Sequence, residues 1–458
     1  MLRHERSAVF SLSFIMAFRM LGLFMILPIF SAYAHKIPGA TSLLIGVALG
    51  VYGLTQACLQ LPFGMLSDKI GRKPIIVLGL LLFIAGSIVA ALSHTITGII
   101  IGRAIQGAGA IGSTCIAMVA DLTRDEHRSK AMAIIGLTIG MAFTFALVIG
   151  PILNSWVQLN GIFWATAIFG GISLVLLFTS VPTPPTLTIH DDTETIPKRL
   201  KGMLCNGELL RLDIGVACSH AILMATFIAI PIILTHKLGI TEWGQIVLYL
   251  LVLVLSFICM VPFIIIAEKK RKMKSIFSGA VLMMALTQLL LLFFHHSVAV
   301  IGVILFLFFT AFTLLEASLP SLVSKIAPIR SKGTATGIYS TSQFFGIFVG
   351  GVLGGWLYGH FQVTGIFAFG TIVGFIWFCA AITMKHPPYL STLIFPLTPD
   401  ILENSREYTD KLRKIKGVGE VAFMVDDNLI YIKADKQIIT ENELRNLLQQ
   451  GTLHDDGM

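Results

Sequence analysis

Four ionisable side chains lie within long apolar stretches of this 458-residue sequence: Arg19, Arg103, His220 and Glu316. An ionisable group in the membrane core costs at least about 2.5 to 3.5 kcal/mol on insertion scales and commonly marks an ion or proton pathway. Carboxylate and imidazole groups can bind and release protons, and a nearby guanidinium changes the proton affinity of a carboxylate. The residue types therefore predict a proton-coupling site, with Glu316 as the main proton-binding group and His220, Arg19 and Arg103 as participants.

The same residues also allow a purely structural interpretation. Arg19 and Glu316 could form a static ion pair, His220 could be a hydrogen-bonded packing residue, and Arg103 could hold helices together. Glu316 is nine residues from Lys325, which is about 13 Å along a helix that rises 1.5 Å per residue. Arg19 and His220 lie at similar depths in their own stretches. Similar depth is compatible with both interpretations, so the sequence leaves both open.

Membrane-spanning helices must position these residues, because the composition excludes a soluble protein. Hydrophobic residues make up 55% of the chain and charged residues 13%, and the mean hydropathy is +0.84. Soluble domains have about 25% charged residues. The net charge of +8 comes from short loops between apolar stretches, which argues against a nucleic-acid partner.

The cysteines and motifs argue against a metalloprotein or an enzyme. Six cysteines fall mostly inside apolar stretches, with no C-x-x-C and no zinc-type spacing. We therefore expect reduced thiols, no metal and no cofactor. The sequence contains no nucleotide-binding loop and no nucleophile motif, so no enzymatic activity is predicted.

Apolar windows predict an all-α membrane protein with twelve transmembrane helices. They cover residues 7–34, 41–67, 74–93, 97–121, 129–154, 161–181, 208–235, 242–267, 274–294, 298–325, 333–357 and 363–385. A polar segment at residues 182–207 is expected to be a cytoplasmic linker between six helices and six. Ile149–Trp156 resembles Val349–Trp356 at an offset of 200 residues. The sequence thus predicts two six-helix pseudo-repeats, residues 1–181 and 208–388, with a substrate site between them near the midplane.

Lys and Arg residues in the loops predict the orientation. If both termini are cytoplasmic, the inner side before the C-terminal segment carries 21 Lys and Arg residues, whereas the outer loops carry only Lys36 and Lys237. The first apolar stretch contains Arg19 and lacks a cleavage site where one is expected, so it should stay attached as the first helix. We therefore expect a multi-pass protein with both termini in the cytoplasm.

The loop after the second predicted helix reads GMLSDKIGRKP and contains Gly64, Asp68, Gly71 and Arg72. Gly64 permits close helix approach, Gly71 permits a tight turn, and Asp68 can accept hydrogen bonds at a helix N-terminus. Arg72 can pair with Asp68 or with Asp121 at the end of the fourth helix. The loop resembles the G-x-L-a-D-r-x-G-R-k signature of the major facilitator superfamily. This resemblance implies a gate cluster that latches the cytoplasmic side in the outward-open state.

Two further segments resemble motifs of the same superfamily. Arg103–Ala110 in the fourth helix resembles its R-x-x-q-G-x-g-a pattern, and Gly150–Pro151 in the fifth helix resembles part of the exporters' G-x-x-x-G-P-x-x-G-G motif. The exporter motif is incomplete, because Ala146 replaces its first glycine and Asn154–Ser155 replace its final pair. This departure weakens the inference of antiport from that motif.

Arg19–Pro28 and Leu315–Lys325, together with a C-terminal appendage, resemble the YajR-type branch of the superfamily, which is similar to proton-linked drug exporters. The resemblance implies a secondary active transporter of the bacterial inner membrane that exports small amphipathic solutes or drugs in exchange for protons. A proton-coupled uptake symporter and a transport-like sensor that signals through the C-terminal domain are the alternatives. Expected partners are a small-molecule substrate, protons and membrane lipids.

The resemblance also implies that helices 1, 4, 7 and 10 line a central cavity, and the four buried ionisable residues come one from each. Arg19 lies on the helix that carries an acid in most drug antiporters, which favours a neutral or anionic amphipathic solute over a cationic one. The candidate cavity residues are Gln56, Gln60, Gln106, Asn154, Phe227 and Gln343.

The composition changes to that of a small soluble domain at about residue 389. An extended segment at 390–397 precedes a helix at 403–414, two strands around a turn at 426–428, and a helix at 440–449 that begins with a Thr440–Glu443 capping box. This β-α-β-β-α order resembles a cytoplasmic α+β ferredoxin-like domain over residues 389–458. Such a domain implies regulation or self-association, and its acidic surface is expected to be attracted to the basic residues 269–274.

Overall fold

Helices make up most of the chain, as its apolar composition requires. The computed structural model describes residues 2–183, 197–328, 331–387, 390–397, 405–424, 429–435 and 437–450. Most of the predicted linker, residues 184–196, and the predicted turn at 426–428 lie outside these ranges. The helices before the C-terminal domain are α1 Arg3–Phe24, α2 Leu27–Tyr33, α3 Ser42–Ile70, α4 Arg72–Leu92, α5 Ile96–Ala108, α6 Gly112–Asp121, α7 Asp125–Ser180, α8 Pro197–Leu204, α9 Gly207–Ile232, α10 Glu242–Lys269, α11 Met273–Phe293, α12 Val298–Ile326 and α13 Lys332–Ile382.

Ten stretches within the described residues are long and apolar enough to cross a membrane. The predicted number of twelve is therefore not confirmed by this count. Two of the ten, Lys130–Ser180 and Lys332–Ile382, are 51 residues long. Each contains one non-helical residue with a positive φ, Gln158 (φ 56°) in α7 and Gln362 (φ 55°) in α13. Both breaks fall in the gaps between the predicted helices.

The contacts of α13 with α9 show that α13 reverses direction. Gly350, before the break at Gln362, lies against the backbone of Ala221. After the break, the carbonyl oxygen of Thr383 accepts a hydrogen bond from Arg211 at 3.0 Å. Residues 350 and 383 would be about 50 Å apart in one straight helix, whereas residues 211 and 221 are about 15 Å apart. The two parts of α13 therefore run in opposite directions.

The ends of α7 likewise lie on the same side of the bundle. Arg72 binds Asp121, which precedes α7, with an Nε to Oδ2 distance of 3.0 Å. The next residue, Lys73, donates to the carbonyl oxygen of Val181, which follows α7, at 2.8 Å. The chain therefore leaves and returns to the same face of the bundle.

The C-terminal domain contains β1 Ser391–Pro396, α14 Ser405–Lys414, β2 Val418–Met424, β3 Leu429–Ala434 and α15 Glu441–Gln450. The three strands form an antiparallel sheet in the order β1-β3-β2. The predicted order of strands and helices is present, and so is the predicted capping box. Thr440 N donates to Glu443 Oε2 at 2.7 Å, and Glu443 N donates to Thr440 Oγ1 at 3.3 Å.

Candidate functional site

A cavity of about 580 Å³ lies between the two halves of the bundle. Residues from α1, α3, α6 and α7 line one side, and residues from α9, α10, α12 and α13 line the other. Much of the wall is apolar, since Phe24, Phe143, Phe257, Phe312 and Phe344 contribute to it. The polar lining residues are Arg19, Gln56, Gln60, Thr144, His220, Thr313, Glu316, Thr336, Tyr339, Ser340 and Gln343.

One end of this cavity is closed by hydrogen bonds between the halves. Ser31 Oγ donates to the carbonyl oxygen of Phe227 at 3.0 Å. The carboxylate of Glu242 accepts from Tyr33 at 2.7 Å and from Asn154 at 2.9 Å through the same Oε1 atom. Glu242 carries no sequence signal for this contact, because it lies in the first turn of α10, where an acidic residue is ordinary.

The cavity extends toward the opposite end, where the C-terminal domain lies. Ala133 near the start of α7, Val323 near the end of α12 and Thr336 near the start of α13 line it there. Ala133 and Thr336 are exposed. The structure is therefore closed at the Glu242 end and open toward the C-terminal domain.

Glu316 and His220 lie together in the cavity wall. Oε1 of Glu316 is 3.6 Å from Nε2 of His220, and 33% of the Glu316 side chain is exposed, whereas only 1% of the His220 side chain is. Among the described residues, Oε1 of Glu316 has no hydrogen-bond partner. This oxygen is buried beside His220, and a buried carboxylate oxygen without a hydrogen bond is unusual in a folded protein.

The hydrogen bonds of His220 determine which ring nitrogen carries the proton. Nδ1 lies 3.1 Å from the carbonyl oxygen of Val216, which can only accept, so Nδ1 is the donor of the neutral ring. Nε2 is then an acceptor, and the side-chain amide of Gln343 donates to it at 2.9 Å. A second proton on the ring would turn Nε2 into a donor toward Glu316. A proton on either residue therefore changes the contacts of both.

Arg19 binds neighbours in its own half rather than Glu316. Its Nη2 donates to Gln56 Oε1 at 2.6 Å and to the Tyr52 hydroxyl at 3.3 Å, and Gln56 in turn donates to Gln60. Within the described residues, Arg19 and Glu316 form no ion pair, so the alternative of a static pair between them is wrong for this conformation. The buried Nε of Arg19 has no hydrogen-bond partner among those residues.

Arg103 lies outside the cavity and is fully buried between helices. Its guanidinium donates to the carbonyl oxygens of Gly22 at 3.3 Å and Ala48 at 3.4 Å, and to Gln106 Oε1 at 2.9 Å. The guanidinium carbon is 4.9 Å from the centre of the Tyr52 ring. These contacts join α5 to α1 and α3, so the structure favours the structural interpretation of Arg103 over proton coupling.

Replacement of Arg103 should therefore destabilise the protein. Arg103→Met leaves buried acceptors without a donor and is expected to lower stability by about 2 kcal/mol. Arg103→Lys, which keeps a cation but not the planar group, should have an intermediate effect. Thermal unfolding in detergent, followed by tryptophan fluorescence, measures the change. An unchanged unfolding temperature combined with lost proton coupling would instead support the coupling role.

Three of the six candidate cavity residues do not line the cavity. Gln106 is fully buried and donates to Ser87 and Thr166, because its helix face is turned toward α4 and α7. Asn154 binds Glu242 at the closed end. Phe227 lines a separate small apolar pocket, and its carbonyl oxygen accepts from the opposite half. Helix rotation, which residue type does not determine, decides these placements. Gln56, Gln60 and Gln343 do line the cavity.

Two further buried polar residues lie near the site and are not among the residues predicted from the sequence. Asp213 is 5% exposed and lies seven residues before His220 on α9. Tyr339 is 5% exposed and lines the cavity on α13. The seven-residue spacing places Asp213 and His220 on one helix face, and this spacing in the sequence could have indicated that Asp213 lies on the same side of α9 as His220.

Comparison with known proteins identifies the family. The sequence profile of the Major Facilitator Superfamily matches residues 12–351 and 212–417. The chain belongs to the major facilitator superfamily. It is 41% identical over 446 residues to the inner membrane transport protein YajR of Escherichia coli strain K12, which covers 97% of this chain and 98% of that protein. It is 25% identical over 351 residues to the multidrug resistance protein MdtH of Aeromonas salmonicida strain A449, with coverage of 75% and 86%.

A solved structure shares the superfamily fold. The crystal structure of a bacterial homologue of the human lysosomal transporter Spinster aligns with a TM-score of 0.68 and 12% identity, over 84% of this chain and 98% of that chain. At this identity the likeness supports the fold alone. Together with the YajR similarity and the apolar spans, the superfamily match makes this chain a multi-pass membrane transporter and not an enzyme.

The superfamily signature spans the end of α3 and the start of α4, and it forms a charged cluster in the N-terminal half. Arg72 contacts Asp68, donates to Ser67 Oγ at 2.9 Å and binds Asp121. Gly71 has a φ of 110°, which side-chain-bearing residues rarely adopt, so a glycine is required at this turn. The predicted cluster is thus assembled, and its gating role stays a prediction.

Gly64 of this signature and Gly150 of the motif in α7 allow close packing. A Cβ at Gly64 would lie 3.0 Å from Ser113 Oγ, and one at Gly150 would overlap the carbonyl oxygen of Met25. Pro151 follows within α7. In the described part of the chain, no group of three or more His, Cys, Asp or Glu residues could hold a metal ion.

Proposed function

We propose that this transporter exports small amphipathic solutes by alternating access, driven by protons that bind at Glu316 and His220. The observation that carries the proposal is the placement of both residues in the wall of a cavity between the halves that is open at one end. A carboxylate that faces such a cavity can exchange its proton with water from the open side. When the other end opens instead, it can exchange its proton with water from that side. A proton bound on one side can therefore be released on the other.

Two long helices support a count of twelve crossings. A helix of 51 residues would extend about 77 Å, which is more than twice the thickness of an apolar membrane core of about 30 Å. Both α7 and α13 break at a glutamine and return to the side from which they start. If each crosses twice, the ten stretches become twelve crossings in two halves of six. The order β1-β3-β2 of the three described strands likewise supports a ferredoxin-like domain.

The loop charges support an orientation with the C-terminal domain in the cytoplasm. Arg72, Lys325 and Arg271 lie at the end of the bundle that carries this domain, and basic residues mark cytoplasmic loops. The cavity would then open to the cytoplasm, ready to take up a solute for export. Glu242 and its partners would close the periplasmic side of the inner membrane.

The cavity favours a neutral or anionic amphipathic solute. Its phenylalanines offer apolar surface, whereas Gln56, Gln60 and Gln343 offer hydrogen bonds, and Arg19 contributes a positive charge whose Nε has no partner among the described residues. The name of the related MdtH supports a drug-like substrate class. Protons, a small solute and surrounding lipid would be the partners of such a carrier. The C-terminal domain would also allow two copies of the chain to associate.

Flux in proteoliposomes tests the proposal. Vesicles are loaded with carboxyfluorescein, an anionic dye, or with ethidium, a cationic dye, and a pH gradient is imposed. Antiport predicts dye movement opposite to the proton flow, with carboxyfluorescein preferred. Movement in the same direction as the protons would show an uptake symporter. Dye binding without flux, detected by fluorescence anisotropy, would support a sensor and contradict transport.

The closed end gives a separate test of alternating access. Glu242→Ala removes the common acceptor of Tyr33 and Asn154, so the closed end should open more often. We expect a cysteine at Ala32, which is 3% exposed, to react about fivefold faster with a membrane-impermeant thiol reagent, since a typical coupling changes an equilibrium by this much or more. The six native cysteines are first replaced. The exposed Glu441→Ala serves as the control, and equal reaction rates in both variants would contradict a latch at Glu242.

A further inference from the structure

Lys433 of the C-terminal domain reaches into the end of a transmembrane helix. It lies on β3 and is 4% exposed. Its Nζ donates to the carbonyl oxygen of Lys325 at 3.1 Å and to that of Ala327, the residue that caps α12. The last carbonyl groups of a helix have no partner within the helix and carry partial negative charge, so a cation there stabilises the helix end.

Burial of Lys433 is unfavourable unless it is compensated. Burial, together with the nearby charge of Lys332, lowers the pKa of Lys433 to about 8. The carboxylate of Glu420, 3.6 Å from Nζ, opposes this shift. A lysine held in such a place needs the carbonyl groups of α12 as partners, which ties the domain to this helix.

A second charge contact fixes the domain beside α12. Arg271, between α10 and α11, forms an ion pair with Asp435. Partial burial raises the pKa of Asp435, but hydrogen bonds from Gln437 N and Arg271 lower it more, so the pKa lies below its ordinary value. This contact agrees with the predicted attraction between the domain and residues 269–274.

The sheet face that meets the bundle is the one without domain helices. Tyr431 is two residues before Lys433 on β3 and is therefore on the same face. It is 3% exposed, although it belongs to a small cluster separate from the core under α14 and α15. The domain thus docks with this face on the C-terminal half of the transporter.

The segment of α12 that contacts the domain follows Glu316 on the same helix, toward its C-terminal end. Pro320 lies within α12 between Glu316 and Lys325, and a proline inside a helix removes one backbone hydrogen bond and makes the helix easier to bend there. Pro320 and Val323 line the cavity. Lys325 also pairs with Glu268 at 2.6 Å. The end of α12 is therefore held by contacts outside its own helix.

We propose that Lys433 is a positioning residue, through which the C-terminal domain holds the end of α12 at the open mouth of the cavity. The role rests on the proposed alternation between two open states. The docked domain favours the state that is open on its own side, and its release lets the segment after Pro320 move and close the mouth. The domain then regulates how often the transporter offers its cavity on that side.

Distance measurements across the mouth test this role without requiring a known substrate. Spin labels at Ala133→Cys and Thr336→Cys, in full-length protein without the native cysteines, report the separation of the halves in lipid nanodiscs. Lys433→Met should lower the ratio of open to closed populations by about fivefold or more, the lower range of typical couplings between sites. Lys433→Arg, which keeps the cation, should retain the wild-type ratio.

Two further variants separate positioning from general damage. Arg271→Asn weakens docking from the transporter side, leaves the domain sequence unchanged and suits the left-handed backbone of Arg271 (φ 54°). It should shift the ratio in the same direction. Lys414→Met removes an exposed lysine of the same domain and should change nothing. Amide exchange at residues 321–327 should increase in Lys433→Met and Arg271→Asn alone.

The outcomes are distinct. A wild-type ratio in both Lys433→Met and Arg271→Asn would overturn the positioning role while leaving alternating access intact. A single distance in the wild-type protein at every pH would overturn the alternation itself, and with it the role of Lys433.

Discussion

Glu316→Gln should strongly reduce dye movement driven by a pH gradient, while dye exchange without a gradient persists. Glutamine has nearly the same size as glutamate and can still contact His220, but it cannot bind and release a proton. We expect gradient-driven flux to fall by about tenfold or more, which corresponds to about 1.4 kcal/mol of lost coupling. The measurement is flux of carboxyfluorescein in proteoliposomes with and without an imposed gradient.

The matched control for this variant is Glu208→Gln. Glu208 lies in the first turn of α9, pairs with Arg211 at 3.1 Å and does not line the cavity. Gradient-driven flux should remain at the wild-type level in this control. His220→Gln should reduce coupling less than Glu316→Gln, since Glu316 can still exchange protons with the cavity. Wild-type coupled flux in Glu316→Gln would make Glu316 a structural partner and place proton binding at His220.

Gly46→Val should prevent the halves from closing on the Glu242 side. A Cβ at Gly46 would overlap the carbonyl oxygen of Gly351 and lie 2.8 Å from Cα of Gly355, both on α13. These are backbone atoms of the opposite half, so they cannot move aside as a flexible side chain can. Overpacking of this kind typically costs about 1–3 kcal/mol. Flux should fall by about tenfold or more, and Ala32→Cys should become accessible from the outside.

Gly279→Val is the control for this substitution. Gly279 also lies within a transmembrane helix, but no atom other than its chain neighbours and its own helix backbone lies within 4 Å of its Cβ position. It should preserve flux and the accessibility of Ala32→Cys. Gel filtration and thermal unfolding must first show that both variants are folded, and Gly46→Ala provides a milder change if Gly46→Val is not. Normal flux in a folded Gly46→Val protein would show that this close contact between α3 and α13 is not needed for closure.

The C-terminal domain was the part that the sequence predicted in most detail. Its elements are short, and each has a local signal, such as the capping box at Thr440 and the β-branched and aromatic residues of β3. Local hydrogen bonds and strand propensity depend on neighbouring residues and residue type, so they can be derived from a single sequence. How the domain docks, through Lys433 and Arg271, depends on residues more than 100 positions away.

The helix breaks at Gln158 and Gln362 were also predicted only in part from the sequence. Both fall where polar residues interrupt the apolar windows, so the sequence placed each gap within a few residues. The chain nevertheless stays helical on both sides of a single break residue, without a loop of several residues. The sequence could not indicate this, because glutamine has no strong preference for a positive φ.

The sequence by itself determined that four ionisable residues lie in apolar helices, that the chain spans a membrane repeatedly, and that a superfamily signature follows the second helix. Composition and short spacing carry those conclusions, since they depend on residue type. The tertiary structure decided which neighbours these side chains contact. It placed Glu316 beside His220 instead of Arg19, buried Arg103 against backbone carbonyls, and made Glu242 a contact between the halves. Each residue along a helix turns the side chain by about 100°, so a small error in register changes which neighbour it faces.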